Sequence, residues 1–122
     1  AEALLLLGIV ELPGNAGQAL QRAQQDYVVS LRAFPDDAAT HLELGWYEAQ
    51  RGNIGAAERA LSDALRVDPN RARAWVVRGV LAARAARYAE AIGFWKQAKA
   101  IDAAYPNIDQ LIAEAERRKQ KH

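Results

Sequence analysis

Two histidines (His41 and His122), three aliphatic hydroxyls (Ser30, Thr40 and Ser62) and the acidic pair Asp36-Asp37 are the side chains from which acid–base or nucleophilic chemistry could be built. A serine nucleophile needs a base within reach and a turn that exposes its hydroxyl. Neither Ser30 nor Ser62 sits in such a context, and no hydroxyl is spaced to meet His41. Asp36-Asp37 and Asp68 fall at expected helix starts, where the positive end of the helix dipole favours a carboxylate without any catalytic role. The chain has no cysteine, which removes disulfides, thiolate catalysis and cysteine-bound metal or haem together. No Gly-rich phosphate loop follows a strand. These residues point to no reaction, no metal and no cofactor, so the expectation is a chain that is not an enzyme.

The elements that must position side chains are helical. Alanine is abundant and β-branched residues are scarce among the 122 positions, a bias that favours helix because Ala loses no side-chain entropy on entering one. A net charge of +1 sets up no strong field, so neither nucleic acid nor an anionic membrane is implied. The basic end Arg117-Arg118-Lys119-Gln120-Lys121 is what a helix C-terminus prefers. The apolar run Leu4-Leu5-Leu6-Leu7-Gly8-Ile9-Val10 has no basic residue before it and is too short to span a bilayer, so neither a signal peptide nor a membrane helix is read there. The compartment stays open. A chain that starts at Ala1 and contains no Met is expected to be a fragment or a processed product.

Internal repetition is the strongest signal. Gly45, Ala57, Ala64 and Asp68 are followed, each after 34 residues, by Gly79, Ala91, Ala98 and Asp102. Ile54 and Tyr88, and likewise His41 and Trp75, keep the same offset, as do Pro35 and Pro69. A 34-residue period with small residues at fixed slots is the mark of stacked helical hairpins. Asp37, Asn53 and Asn70 are placed to cap helix N-termini, Gly52 supplies a left-handed turn, and Pro69 falls where a helix must stop. Ile54, Ala57, Leu61, Ala64 and Leu65 form one buried stripe. Asn107 with Gln110 reads as a capping box before a last amphipathic helix bearing Ile108, Leu111, Ile112 and Ala115. The expected helices are Ala1–Leu12, Gly17–Arg32, Asp37–Gln50, Ile54–Arg66, Arg71–Ala85, Tyr88–Ala100 and Asn107–Lys119.

These residues resemble the tetratricopeptide-repeat (TPR) family. Leu44-Gly45, Gly52, Ala57, Leu61, Ala64-Leu65 and Asp68-Pro69-Asn70 stand in the family's order and spacing. Trp75, Gly79, Tyr88, Ala91, Trp95 and Ala98 do so again one period later. The resemblance implies an all-α fold, a right-handed α-solenoid of about three TPR hairpins plus a C-terminal capping helix. Residues 1–36 would be a degenerate first hairpin, 37–70 and 71–105 two regular ones, and 106–119 the cap, together one domain. TPR arrays also serve as accessory domains of large bacterial proteins, some of them multihaem cytochromes, but no haem-attachment motif is present.

The function implied by the resemblance is a non-catalytic scaffold that binds a protein or peptide in a concave groove lined by the first helix of each hairpin. By register the groove residues are Leu5, Ile9, Leu42, Trp46, Ala49, Gln50, Arg73, Val76, Val80, Ala83 and Arg84. This mainly apolar set suits a helical or extended hydrophobic segment, with Arg73 and Arg84 meeting an acidic residue and Trp46 as anchor. It does not resemble the Lys/Asn/Arg clamp with which some TPR domains hold a terminal carboxylate. The alternative is a structural module whose groove is filled by its parent chain or by a second copy. His41 is expected to act as an aromatic wedge in the slot of Trp75. Glu48 and Arg78, which depart from the family pattern at adjoining slots, are expected to pair.

Overall fold

The computed structural model describes residues 16–121. Its helices are α1 (Ala16–Ala33), α2 (Ala38–Gln50), α3 (Ile54–Val67), α4 (Ala72–Arg84), α5 (Tyr88–Ile101) and α6 (Ile108–Gln120). No strand occurs among the described residues. All six lie within one residue, at each end, of a helix expected from the sequence. The expected helix over Ala1–Leu12 falls outside the described residues. The chain divides between Pro69 and Asn70 into two compact units.

In the first unit α1 packs on α2, and α2 forms a hairpin with α3. Leu42, Tyr47 and Ala49 of α2 are buried with Ala57, Leu61, Ala64 and Leu65 of α3. The close contact is at Gly45: a Cβ placed there would lie 2.8 Å from Cγ of Leu61. The hairpin turns through Gly52 at φ 82°. There the Asn53 amide donates to the Glu48 carbonyl at 2.9 Å and the Gly52 amide to that of Ala49 at 3.1 Å, the pattern by which a left-handed residue satisfies a helix's last carbonyls. Asp37 caps α2 as expected, its Oδ1 accepting from the amides of Ala39 at 3.1 Å and Thr40 at 3.3 Å.

In the second unit α4 pairs with α5, and α5 with α6. Trp95 of α5 is buried against Gly79, where a Cβ would come 2.6 Å from its Cδ1. The indole N–H donates to the carbonyl of Val76 at 3.0 Å. Glycine is required here because the ring lies directly on the α4 backbone. Trp75 packs on Phe94 with ring centroids 6.0 Å apart. The turn repeats the hydrogen bonds of the first hairpin, with Arg87 donating to Ala82 and Ala86 to Ala83, but the left-handed residue is Ala86, φ 61°. Ile108, Leu111 and Ala115 of α6 are buried, as the stripe required.

Several local expectations are corrected. Asn107 is left-handed, φ 65°, and makes no side-chain cap, so the capping box does not form; Asn is among the few residues that take this conformation readily. Asn53 precedes α3 without capping it; its Nδ2 donates instead to the Glu48 carboxylate at 2.9 Å. The N-cap of α4 is Arg71 rather than Asn70. His41 is half-buried, and its Nε2 lies 2.7 Å from the Pro35 carbonyl. A carbonyl only accepts, so that nitrogen carries the proton and His41 ties down the α1–α2 connection. Glu48 and Arg78 are each accounted for inside their own hairpin, Glu48 by Asn53 and Arg78 by the Phe94 ring, 4.7 Å from the guanidinium carbon.

Candidate partner-binding face

The groove residues expected from register separate into three groups. Leu5 and Ile9 lie outside the described residues. Leu42, Ala49, Val76 and Val80 are buried, between 0% and 3% exposed, and are closed to a partner as the structure stands. Trp46, Gln50, Arg73 and Ala83 are half-buried and Arg84 is exposed. Of the expected groove residues on the described helices, four are therefore buried and five reach solvent at least in part.

The reason differs between the two helices. On α4, Ala74, Val76, Val77, Gly79, Val80, Leu81 and Ala82 are all buried. At 100° per residue these positions run right round the helix, and a helix apolar on every side is an interior helix. It reaches solvent in part at Trp75 and Arg78 and towards its ends at Arg73 and Arg84, the last two standing eleven residues apart on one face. On α2 the buried residues Ala38, Leu42, Gly45 and Ala49 share one face and Tyr47 occupies the other. Ala39, Glu43, Trp46 and Gln50, at three- and four-residue steps, make a half-buried stripe along the flank.

That flank carries an anomaly. Trp46 Nε1 and Gln50 Nε2 are both buried, and neither has a hydrogen-bond partner. Most buried donors in folded proteins are satisfied, and an orphan costs about 1–3 kcal/mol in lost hydration. Trp95 is the contrast, since its indole N–H is met by Val76. Period and register can place Trp46, but satisfaction of its N–H depends on side-chain geometry that spacing does not carry. Two other exposed apolar side chains, Val29 at 64% and Phe34 at 66%, were marked by neither repeat nor motif.

The remaining polar features are structural. Arg66 meets Asp36 at 3.5 Å, and Lys99 meets Asp109 at 2.7 Å. Glu114 is bonded by Arg117 and Arg118, and these bonds, Arg117's first, hold its carboxyl down at about 2 from the ordinary 4.5. Among the described residues no three His, Cys, Asp or Glu side chains are grouped to hold a metal ion. No described helix is long and apolar enough to cross a membrane.

No protein-family model and no curated protein matches the chain. Among solved structures it is similar to the TPR2B domain of yeast Sti1, from a structure titled as that domain's complex with pHsp70. The TM-score is 0.75, covering 84% of this chain and 87% of that one, at 23% sequence identity. The chain has the fold of a tetratricopeptide-repeat domain, an all-α repeat of helical hairpins.

Proposed function

We propose that the chain is a non-catalytic scaffold that binds a protein or peptide segment, with the flank of α2 around Trp46 as its docking face. The observation that carries this reading is a half-buried tryptophan on the first helix of a TPR hairpin, beside Gln50 and with its indole N–H unmatched. The similarity to a TPR domain solved as a complex with pHsp70 supports a polypeptide partner over a small substrate. Trp is among the residues that dominate interface energies, since it buries a large area at little entropic cost.

The test is an affinity measurement with a bound polypeptide in hand, comparing Trp46→Ala with the exposed control Arg59→Ala. Loss of the anchor is expected to cost roughly 2 kcal/mol, about a thirtyfold drop. Equal affinities would remove α2 as the site. A light-scattering mass distinguishes this reading from self-assembly, which would give a multiple of the 13.4 kDa chain without any partner.

A further inference from the structure

The net charge of +1 hides a division along the chain. Residues 70–122 hold eleven Lys and Arg against five Asp and Glu, a balance of +6, whereas residues 11–69 hold five against nine, a balance of −4. In the second unit three of the five carboxylates are already met by its own cations: Glu90 by Arg87 at 3.3 Å, Asp109 by Lys99 at 2.7 Å, and Glu114 by Arg117 and Arg118. The surplus positive charge gathers at one end of this unit. Arg84 stands in the last turn of α4, and Arg87 precedes α5 across the Ala86 turn. The last turn of α6 comes to the same place, since Lys119 shares a concavity of about 340 Å³ with Ala86, Arg87, Tyr88, Ala89 and Glu90.

Guanidinium groups present a planar fork that suits phosphate oxygens. Among them Tyr88 is half-buried and lines the concavity, its hydroxyl accepting from Arg118. An aromatic ring held beside cations is a platform on which an unpaired base stacks. An acidic polypeptide would use the cations and leave the ring idle. Adsorption to an anionic bilayer gains from apolar side chains that enter it, but among the described residues the exposed large ones, Val29 and Phe34, both belong to the first unit. A duplex keeps its bases stacked on one another, away from the ring. We propose that this end of the second unit binds single-stranded nucleic acid, with Arg84, Arg87 and Lys119 on phosphates and Tyr88 on a base. A net charge averaged over the whole chain does not register such a site, and the site is separate from the α2 docking face, which belongs to the first unit.

The test is fluorescence anisotropy of the whole chain with a labelled oligothymidylate dodecamer and with an abasic dodecamer of the same charge. Three phosphate contacts predict a slope of about −2 in log affinity against log salt. Arg84→Gln combined with Lys119→Gln should weaken binding about tenfold or more at about 50 mM salt and cut the slope to about −0.7. Arg22→Gln combined with Arg59→Gln makes the same charge change on exposed arginines of the first unit and should alter affinity less than about twofold. Tyr88→Leu should cost about tenfold on oligothymidylate and nothing on the abasic chain, and Tyr88→Phe, which keeps the ring, should bind as the parent does. No binding at about 50 mM salt, equal losses in the two double variants, or equal affinity of the parent for the two dodecamers would each overturn the proposal. So would competition by oligoglutamate or by phosphatidylserine vesicles as effective as that by unlabelled oligothymidylate. Trp46→Ala should bind oligothymidylate as the parent does, so this proposal and the α2 docking face stand or fall separately.

Discussion

The two hairpins, α2–α3 and α4–α5, share a 34-residue template and fill it by different means. Each places a glycine in its first helix beneath a large side chain of its second, but the first hairpin seats Leu61 on Gly45 and the second seats Trp95 on Gly79. Each turns through the same pair of backbone hydrogen bonds, but one uses Gly52 and the other Ala86 as its left-handed residue. The first keeps a tryptophan on its flank with an unmet N–H; the second puts buried Val80 at that position and satisfies its own buried tryptophan internally. What the template conserves is backbone approach and turn geometry. What it leaves free is whether a tryptophan N–H finds its partner, and the one on α2 does not.

The approach at the glycines offers the largest effects. Gly79→Ala drives a methyl into a planar indole that is itself hydrogen-bonded to the α4 backbone, and overpacking of a rigid neighbour costs about 1–3 kcal/mol. We expect about 3 kcal/mol of destabilisation by denaturant melting. Gly45→Ala meets the branched end of Leu61, which can change rotamer, and alanine's better helix propensity returns up to about 1 kcal/mol; its net cost is expected near 1 kcal/mol. Equal costs at the two sites would mean that the indole is no stiffer than the leucine, and the contrast between the hairpins would collapse.

The turns should respond with opposite signs. An L-residue held in the left-handed region costs roughly 1–2 kcal/mol, whereas glycine occupies it freely. Ala86→Gly is therefore expected to stabilise the chain by about 1 kcal/mol and Gly52→Ala to destabilise it by a similar amount, read as shifts in denaturation midpoint at constant slope. Loss of stability in Ala86→Gly would show that the alanine methyl makes a contact outweighing its backbone strain.

Helix starts give a smaller contrast. Asp37 accepts two amides at the head of α2, so Asp37→Ala should cost about 1 kcal/mol. Asn53 makes no side-chain cap on α3, so Asn53→Ala should cost only the exposed bond to Glu48, within about 0.5 kcal/mol. Comparable losses would mean that Asn53 caps α3 in solution after all.

The helices were legible because the period, the small residues and Pro69 are local features that act through the backbone. The glycine slots were legible too, since only close approach explains a glycine recurring mid-helix. The docking face was harder to see. Register placed Leu42, Val76 and Val80 on an open groove, but register only says which way a position faces, whereas exposure depends on what lies over it. Valines on a helix surrounded by apolar residues are covered; Trp46, on a flank shared with Glu43 and Gln50, is covered only in part. The capping box at Asn107 misled for a related reason, because asparagine favours both the N-cap and the left-handed conformation, and composition alone does not choose between them.

The smallest expected effect lies outside both hairpins. Glu114 of α6 accepts from Arg118 Nε at 2.8 Å and Arg117 Nε at 3.1 Å, and it lines a pocket with Tyr88 and Trp95 of α5. Its carboxyl is held at about 2 against an ordinary 4.5, chiefly by the Arg117 hydrogen bond and then by that of Arg118. A carboxyl lowered in the folded state binds its proton more weakly there than in the unfolded chain, so its contribution to stability is complete above 4.5 and is lost as pH falls toward 2. Glu114→Gln keeps an acceptor but cannot ionise. Melting temperatures of the parent and of Glu114→Gln, followed from pH 7 to pH 2, should differ most above pH 4.5 and converge toward pH 2. The difference should shrink with added salt at neutral pH, because the group and both its arginines are solvent-accessible and screened. If the two melting curves stay parallel across the whole range, ionisation of Glu114 does not contribute to stability. Acid sensitivity in the parent would then have to come from other paired carboxylates, such as Asp109 with Lys99 or Asp36 with Arg66.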